Sequence, residues 1–192
     1  MKKTVLTFGL ISGAVLSVMM TITVAFAEKI GFDRSVIIGY TTMVLAFLLV
    51  FFGIRSYRDT IGQGRISFAR ALGVGLLIMA IASICYVVTW EIVYFNFMPD
   101  FIDKYTTHAT QDLRNSGKPP AQIEQEIQEM NRMMSLYKNN FLVNIAFTLL
   151  EPLPVGLVMT FISALILRRG RKDLQDGQDE VKGNPVNQVN PV

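Results

Sequence analysis

Long apolar blocks alternate with short polar connections along the chain. Four blocks stand out: Val5–Ala27, Ser35–Ile54, Ala71–Phe97 and Phe141–Leu167. Each is close to the ~20 residues an α-helix needs to cross a hydrocarbon core roughly 30 Å thick. Backbone N–H and C=O groups in lipid must be satisfied within their own segment, so apolar runs of this length predict helices. The stretch 99–140 has a different pattern. Phe101, Tyr105, Ala109 and Leu113 recur every four residues, Asn115-Ser116-Gly117-Lys118-Pro119-Pro120 signals a turn, and Ile123, Ile127, Met130, Met134 and Tyr137 form a second stripe. Glu124, Glu126, Glu129 and Arg132 fill the opposite face of that second helix. The pattern predicts an all-α integral membrane protein with four transmembrane helices and an amphipathic helical hairpin between the third and fourth. Residues 1–172 form one membrane domain in this reading. Residues 173–192 are polar, with glycine and proline, and are expected to be disordered in the cytoplasm.

Local signals sharpen some boundaries. Gly62-Gln63-Gly64 reads as a turn, Ser67 as the N-cap of the third span, and Pro99 should end that span at or before Met98. Ala25-Phe26-Ala27 resembles a signal cleavage site behind Lys2 and Lys3. The apolar stretch before it exceeds the roughly 7–15 residues of a signal core, so an uncleaved first span is expected.

Charge supplies the orientation. Arg55, Arg58, Arg65 and Arg70 surround the second connection against the single acid Asp59, and Lys2, Lys3, Arg168, Arg169, Arg171 and Lys172 flank the outermost spans. Dense positive charge beside span ends marks the cytoplasmic side. Both termini are therefore expected in the cytoplasm of a bacterial inner membrane, with the hairpin on the outer, periplasmic face. The four arginines are expected to meet anionic lipid headgroups, at ~1 kcal/mol each near the surface. Trp90, Tyr94, Phe95 and Phe97 crowd the outer end of the third span, where aromatic rings suit headgroup level.

Composition changes this picture little. Hydrophobic residues make up 51% and charged residues 17% of the 192. The formal charge of +3 does not imply nucleic acid, because the basic residues cluster at span ends. The single cysteine, Cys85, excludes an intrachain disulfide or a cysteine metal cluster. His108 stands alone among Asp100, Asp103 and Asp112, a weak metal signal, and is expected to face solvent. Neither a phosphate loop nor a nucleophile–base pair is present, since Ser67 and Ser83 have no histidine nearby. The expectation is no enzyme, no cofactor and no metal.

Two features could carry function. Gly9, Gly13, Ser17 and Thr21 recur every four residues and line a helix face that lets another backbone approach closely, within the bundle or on a partner. The second is Glu151-Pro152-Leu153-Pro154, inside the fourth block. At ~1.5 Å per residue Glu151 lies roughly 25 Å above Arg168, and Glu91 roughly 31 Å above Arg70. Glu91 is expected to be wet at the interface. Glu151 lies deeper, and its ionised form would need a partner, a water-filled cavity or a proton. Pro152 and Pro154 free the carbonyls of Thr148 and Leu150, so a carboxylate beside them could form a cation or proton site. The alternative is structural: proline suits the first helical position, and Glu151 would sit at the N-terminus of a span starting at Pro152.

Several strings resemble one family. They are Phe8-Gly9-Leu10-Ile11-Ser12-Gly13, Gly53-Ile54-Arg55-Ser56-Tyr57-Arg58-Asp59, Pro99-Asp100-Phe101 with Lys104-Tyr105, and Leu153-Pro154-Val155-Gly156 followed by Ile162-Ser163-Ala164-Leu165-Ile166-Leu167. The chain resembles, over roughly Met1 to Arg169, the bacterial membrane family catalogued as domain of unknown function 4199. The resemblance implies a multi-span protein without an assigned activity, and it carries over no functional residues. The leading expectation is a non-enzymatic scaffold or accessory subunit whose partners are the bilayer and either further copies of itself or another membrane subunit. The alternative is a small proton- or ion-coupled transporter built around Glu151.

Overall fold

The computed structural model describes residues 2–168, so the expectations for 173–192 and for Arg169, Arg171 and Lys172 lie outside the described residues. The elements are α1 (Lys2–Ala25), α2 (Ala27–Ile30), α3 (Phe32–Thr60), α4 (Phe68–Phe97), α5 (Phe101–Asn115), α6 (Pro120–Asn139), α7 (Phe141–Leu150) and α8 (Pro152–Leu167). Four segments are long and apolar enough to cross a membrane: Lys2–Ala25, Phe32–Thr60, Phe68–Phe97 and Phe141–Leu167. Helices α3 and α4 pack on each other, and α1 and α8 each pack against both of them. Phe47, Val50, Ile54, Val74 and Ile78 fill the space between. Leu45, Ile84 and Ile166 point outward and are well exposed, as residues on a lipid-facing surface must be.

The helices run further than the apolar blocks. Helix α3 continues past Ile54 through Arg55 and Arg58 to Thr60, because nothing before the Gly62 turn interrupts it. Helix α4 begins at Phe68, where the Ser67 hydroxyl accepts from the Arg70 N–H at 3.4 Å. The expected arginine loop is therefore mostly helix ends, with Arg65 in the connection. The short polar connection between the first two blocks is instead α2 and the first turn of α3, joined at Gly31, whose φ of 94° suits a residue without Cβ. Helix α4 stops at Phe97, before Pro99, and α6 starts with Pro120 in its first turn.

Small residues set how closely α1 approaches α4. A Cβ on Gly13 would lie 2.7 Å from the Cβ of Cys85, and one on Gly9 2.9 Å from the Cβ of Ile81. Hydroxyls stitch the same seam: Thr89 donates to Ser17 at 2.8 Å, and Ser17 to the Cys85 carbonyl at 3.3 Å. Ser12, fully buried, donates to the Ala46 carbonyl on α3 at 2.9 Å. Interhelical hydrogen bonds of this kind contribute only about 0.6 kcal/mol on average in apolar bundles, so close packing carries most of the seam.

Gly13→Val should therefore lower stability by about 1–3 kcal/mol through overpacking. Thermal unfolding in detergent checks this, with Gly73→Ala as control, since a Cβ there meets nothing within 4 Å. Equal loss in both variants would refute the seam.

Candidate functional site

The fourth apolar segment is broken where its sequence said it would be. Pro152 and Pro154 have no N–H to give, so α7 ends at Leu150 and α8 starts at Pro152. Glu151, at the junction, keeps right-handed helical angles (φ −67°, ψ −56°) and makes no side-chain cap bond. The reason lies next to it. A capping side chain takes the N–H of the second or third helical residue, and the third here is Pro154. The carboxylate turns instead to α4, where the Tyr86 hydroxyl donates to Oε2 at 2.6 Å.

This pairing agrees with the helix lengths. At ~1.5 Å per residue Tyr86 lies roughly 27 Å from the start of α4, and Glu151 roughly 25 Å from the end of α8. The two meet inside the apolar length of α4 and of the fourth segment, Phe141–Leu167.

The break also changes what the segment packs against. Helix α8 packs on α3 and α4, whereas α7 packs on α4 and α6 and not along α3. A cavity of about 520 Å³ opens in the gap, bounded by α1, α3, α4 and α7, with the α5–α6 hairpin over it. Its walls are chiefly apolar: Leu16, Met19, Met20 and Val24 from α1, Val36 and Met43 from α3, Phe101 and Met134 from the hairpin. One side is polar, lined by Tyr86, Trp90, Tyr137, Thr148 and Glu151. Glu151 is an exposed residue that lines this space, and its Oε1 has no hydrogen-bond partner among the described residues.

A short chain of bonds fixes the polar side. Trp90 Nε1 donates to the Tyr137 hydroxyl at 2.6 Å, that oxygen lies 3.4 Å from Thr148 Oγ1, and Thr148 donates to the Asn144 carbonyl at 3.0 Å. Burial pushes the Tyr137 phenol up to about 12, while its bonds with Thr148 and Trp90 pull it down. The exposed pair Lys104 to Glu28 at 2.6 Å ties the hairpin to α2, and Lys138 to Asp103 at 2.8 Å ties its two arms together, each raising the lysine's pKa through its carboxylate partner. Phe32 adds ring contacts with Phe101, Tyr105 and His108 at 5.2–6.2 Å.

Three expectations need correcting. Glu91 is not wet: both of its oxygens are shut off from solvent and have no hydrogen-bond partner among the described residues, on a helix that α7 packs against. It does not line the cavity, so the two carboxylates are not joined by it. Trp90 and Tyr94 do not belong to an outer aromatic belt, since they are 7% and 4% exposed; Phe95 and Phe97 do point outward. His108 is half-buried, with Nδ1 2.9 Å from Asp112 and its ring on Phe32. Among the arginines, Arg55, Arg65 and Arg70 are exposed, while Arg58 is largely covered and bonds Asp59 at 2.7 Å. Gly9, Gly13 and Ser17 face α4 within the chain.

The residues missed by sequence reading are Tyr86, Tyr137, Thr148 and Asn144. Tyr86 and Tyr137 lie 65 and 14 residues from Glu151, and only the folded chain brings the first to it. Asn144 held a usable signal, an amide four residues before Thr148 inside an apolar block. It is 1% exposed, and its Nδ2 has no partner among the described residues.

A family model described as "Protein of unknown function (DUF4199)" matches residues 7–169. Neither a curated protein nor a solved structure matches the chain.

Tyr137→Phe should cost about 1–3 kcal/mol, because it leaves the buried Trp90 N–H unpaired. Unfolding in detergent checks the loss, and a shift in emission of the only tryptophan checks its origin. The pH dependence has a fixed sign. A phenol raised from about 10 to about 12 leaves stability intact below pH ~10 and weakens it as pH climbs toward 12. An unchanged Trp90 spectrum in the variant would contradict the network.

Proposed function

The chain belongs to that family of unknown function, and we propose, from its geometry, that it is a multi-pass inner-membrane protein that binds a small solute at Glu151 and carries it in a proton- or ion-coupled way. The observation that carries this reading is the Glu151 carboxylate, held by Tyr86 at the wall of a cavity of about 520 Å³. A carboxylate inside an apolar helix costs about 2.5–3.5 kcal/mol to insert, and such groups normally line a solute or ion path. The broken helix beside it is the arrangement by which transporters place polar groups at mid-depth. The role is binding and movement, not catalysis. The second reading is a non-enzymatic scaffold or accessory subunit, which draws on the absence of catalytic motifs and on the small-residue face of α1; α4 packs on that face within the chain, which weakens one of its two supports.

Orientation belongs to the same proposal. Lys2, Lys3, Arg55, Arg65 and Arg70 gather at one end of the helices, which supports a cytoplasmic placement of that end and of both termini. The cavity and hairpin then face the periplasm.

Two measurements test this. In intact cells an impermeant maleimide should label Gln128→Cys on the hairpin and leave Thr60→Cys unlabelled until the membrane is opened; the reverse pattern would invert the orientation. In proteoliposomes with an entrapped pH dye and clamped potential, Glu151→Gln should reduce proton or monovalent-cation flux by roughly tenfold or more at equal incorporation. Equal flux in both proteins would remove Glu151 from the mechanism.

A further inference from the structure

The solute class can be read from the cavity's chemistry, resting on the binding role given to Glu151 above. We propose that the cavity takes a lipophilic organic monocation, entering sideways from the bilayer between α3 and α7.

Charge comes first. Among the described residues lining the cavity there is one carboxylate and no lysine, arginine or histidine. Tyr86 bonds Oε2 and nothing among the described residues bonds Oε1, so when Glu151 is ionised no cation lining the cavity balances its charge. Surrounding apolar walls strengthen that field relative to water, favouring a positive occupant and repelling a negative one.

The nature of the walls then separates organic from inorganic cations. A bare Ca²⁺ or Mg²⁺ seeks about six or more oxygen ligands. This cavity offers one carboxylate and scattered hydroxyls against aliphatic, methionine and aromatic surface. Aromatic faces attract an organic cation within about 6 Å of the ring centre, and Trp90, Tyr40 and Tyr105 line the space. Met19, Met20, Met43 and Met134 give a surface that repacks around differing apolar bodies. A volume of about 520 Å³ is within the range of drug-sized sites.

The entrance follows from packing. Val36 and Tyr40 on α3 and Phe147 and Leu150 on α7 line the cavity and are also 51%, 48%, 38% and 64% exposed. They sit on the two helices that do not pack together, on the flank of the bundle. The top, by contrast, is covered by α5 and α6. An occupant with an apolar body would reach Glu151 from the lipid side.

Trp90, the only tryptophan, lines the cavity and reports occupancy directly. Purified protein in detergent is titrated with tetraphenylphosphonium and, separately, with tetraphenylborate, an anion of matching shape. The cation should change Trp90 emission saturably and the anion should not. Glu151→Gln should weaken cation binding by roughly tenfold or more, while Glu151→Asp, which keeps the charge, should retain the preference for cation over anion. The wild-type comparison stands even if a variant fails to fold. Equal binding of both ions, or an undiminished affinity in folded Glu151→Gln, overturns the charge selection and leaves a binding cavity. Absence of saturable binding by either ion overturns the inference as a whole. The flux measurement above fails or succeeds independently of these outcomes, because it reads Glu151 in ion movement without any organic ion.

Discussion

A helix that loses two backbone donors in three residues cannot run through a bundle as one rigid rod, and the rest of this architecture follows from that. Below the break, α8 has small residues facing its neighbours; a Cβ on Gly156 would come 2.5 Å from Met79. It therefore lies tightly on α3 and α4. Above the break, α7 leans on α4 and α6 rather than along α3. A straight fourth helix would close this space. The cavity is thus a product of Pro152 and Pro154 as much as of the residues that line it.

The same prolines decide what Glu151 does. A carboxylate at the start of a helix ordinarily accepts from the free N–H groups of the first turn, and the helix dipole favours it there. With proline at the first and third positions of α8, little of that welcome remains. Tyr86 provides the compensation from another helix. One oxygen is thereby fixed and the other left without a hydrogen-bond partner among the described residues, an arrangement that a capping carboxylate would not have offered.

Most of the fold was legible in the sequence because it depends on length and period. Hydrocarbon-length runs, the Ser67 cap, the Pro99 stop and the two helical stripes of the hairpin are local signals, and each has a local physical cause. The family resemblance rested on strings that fall within the matched residues 7–169. The helix ends were less legible, because apolarity stops before helicity does: α3 carries Arg55 and Arg58 past Ile54 and ends only at Thr60. The site was half legible. Glu151 announced itself as a charge in an apolar run with two prolines, but its partner is a tyrosine in another apolar run, and aromatic residues at that level look alike whether they face lipid or protein. Trp90 was misplaced for this reason. What turned it inward is the Tyr137 hydroxyl, supplied by a hairpin whose register on the bundle no sequence period encodes.

That hairpin links the cavity to the polar end of the molecule. Tyr137 accepts from Trp90 beneath it and packs its ring 5.8 Å from Tyr94, while the neighbouring Lys138 is paired to Asp103 on the other arm. The buried bond carries more of the attachment to the bundle than the exposed Lys104–Glu28 pair, which water screens. The cover over the cavity is thus held mainly by the residues that also form its polar wall. A substitution in that wall, such as at Trp90 or Tyr137, therefore also weakens the seating of α5 and α6.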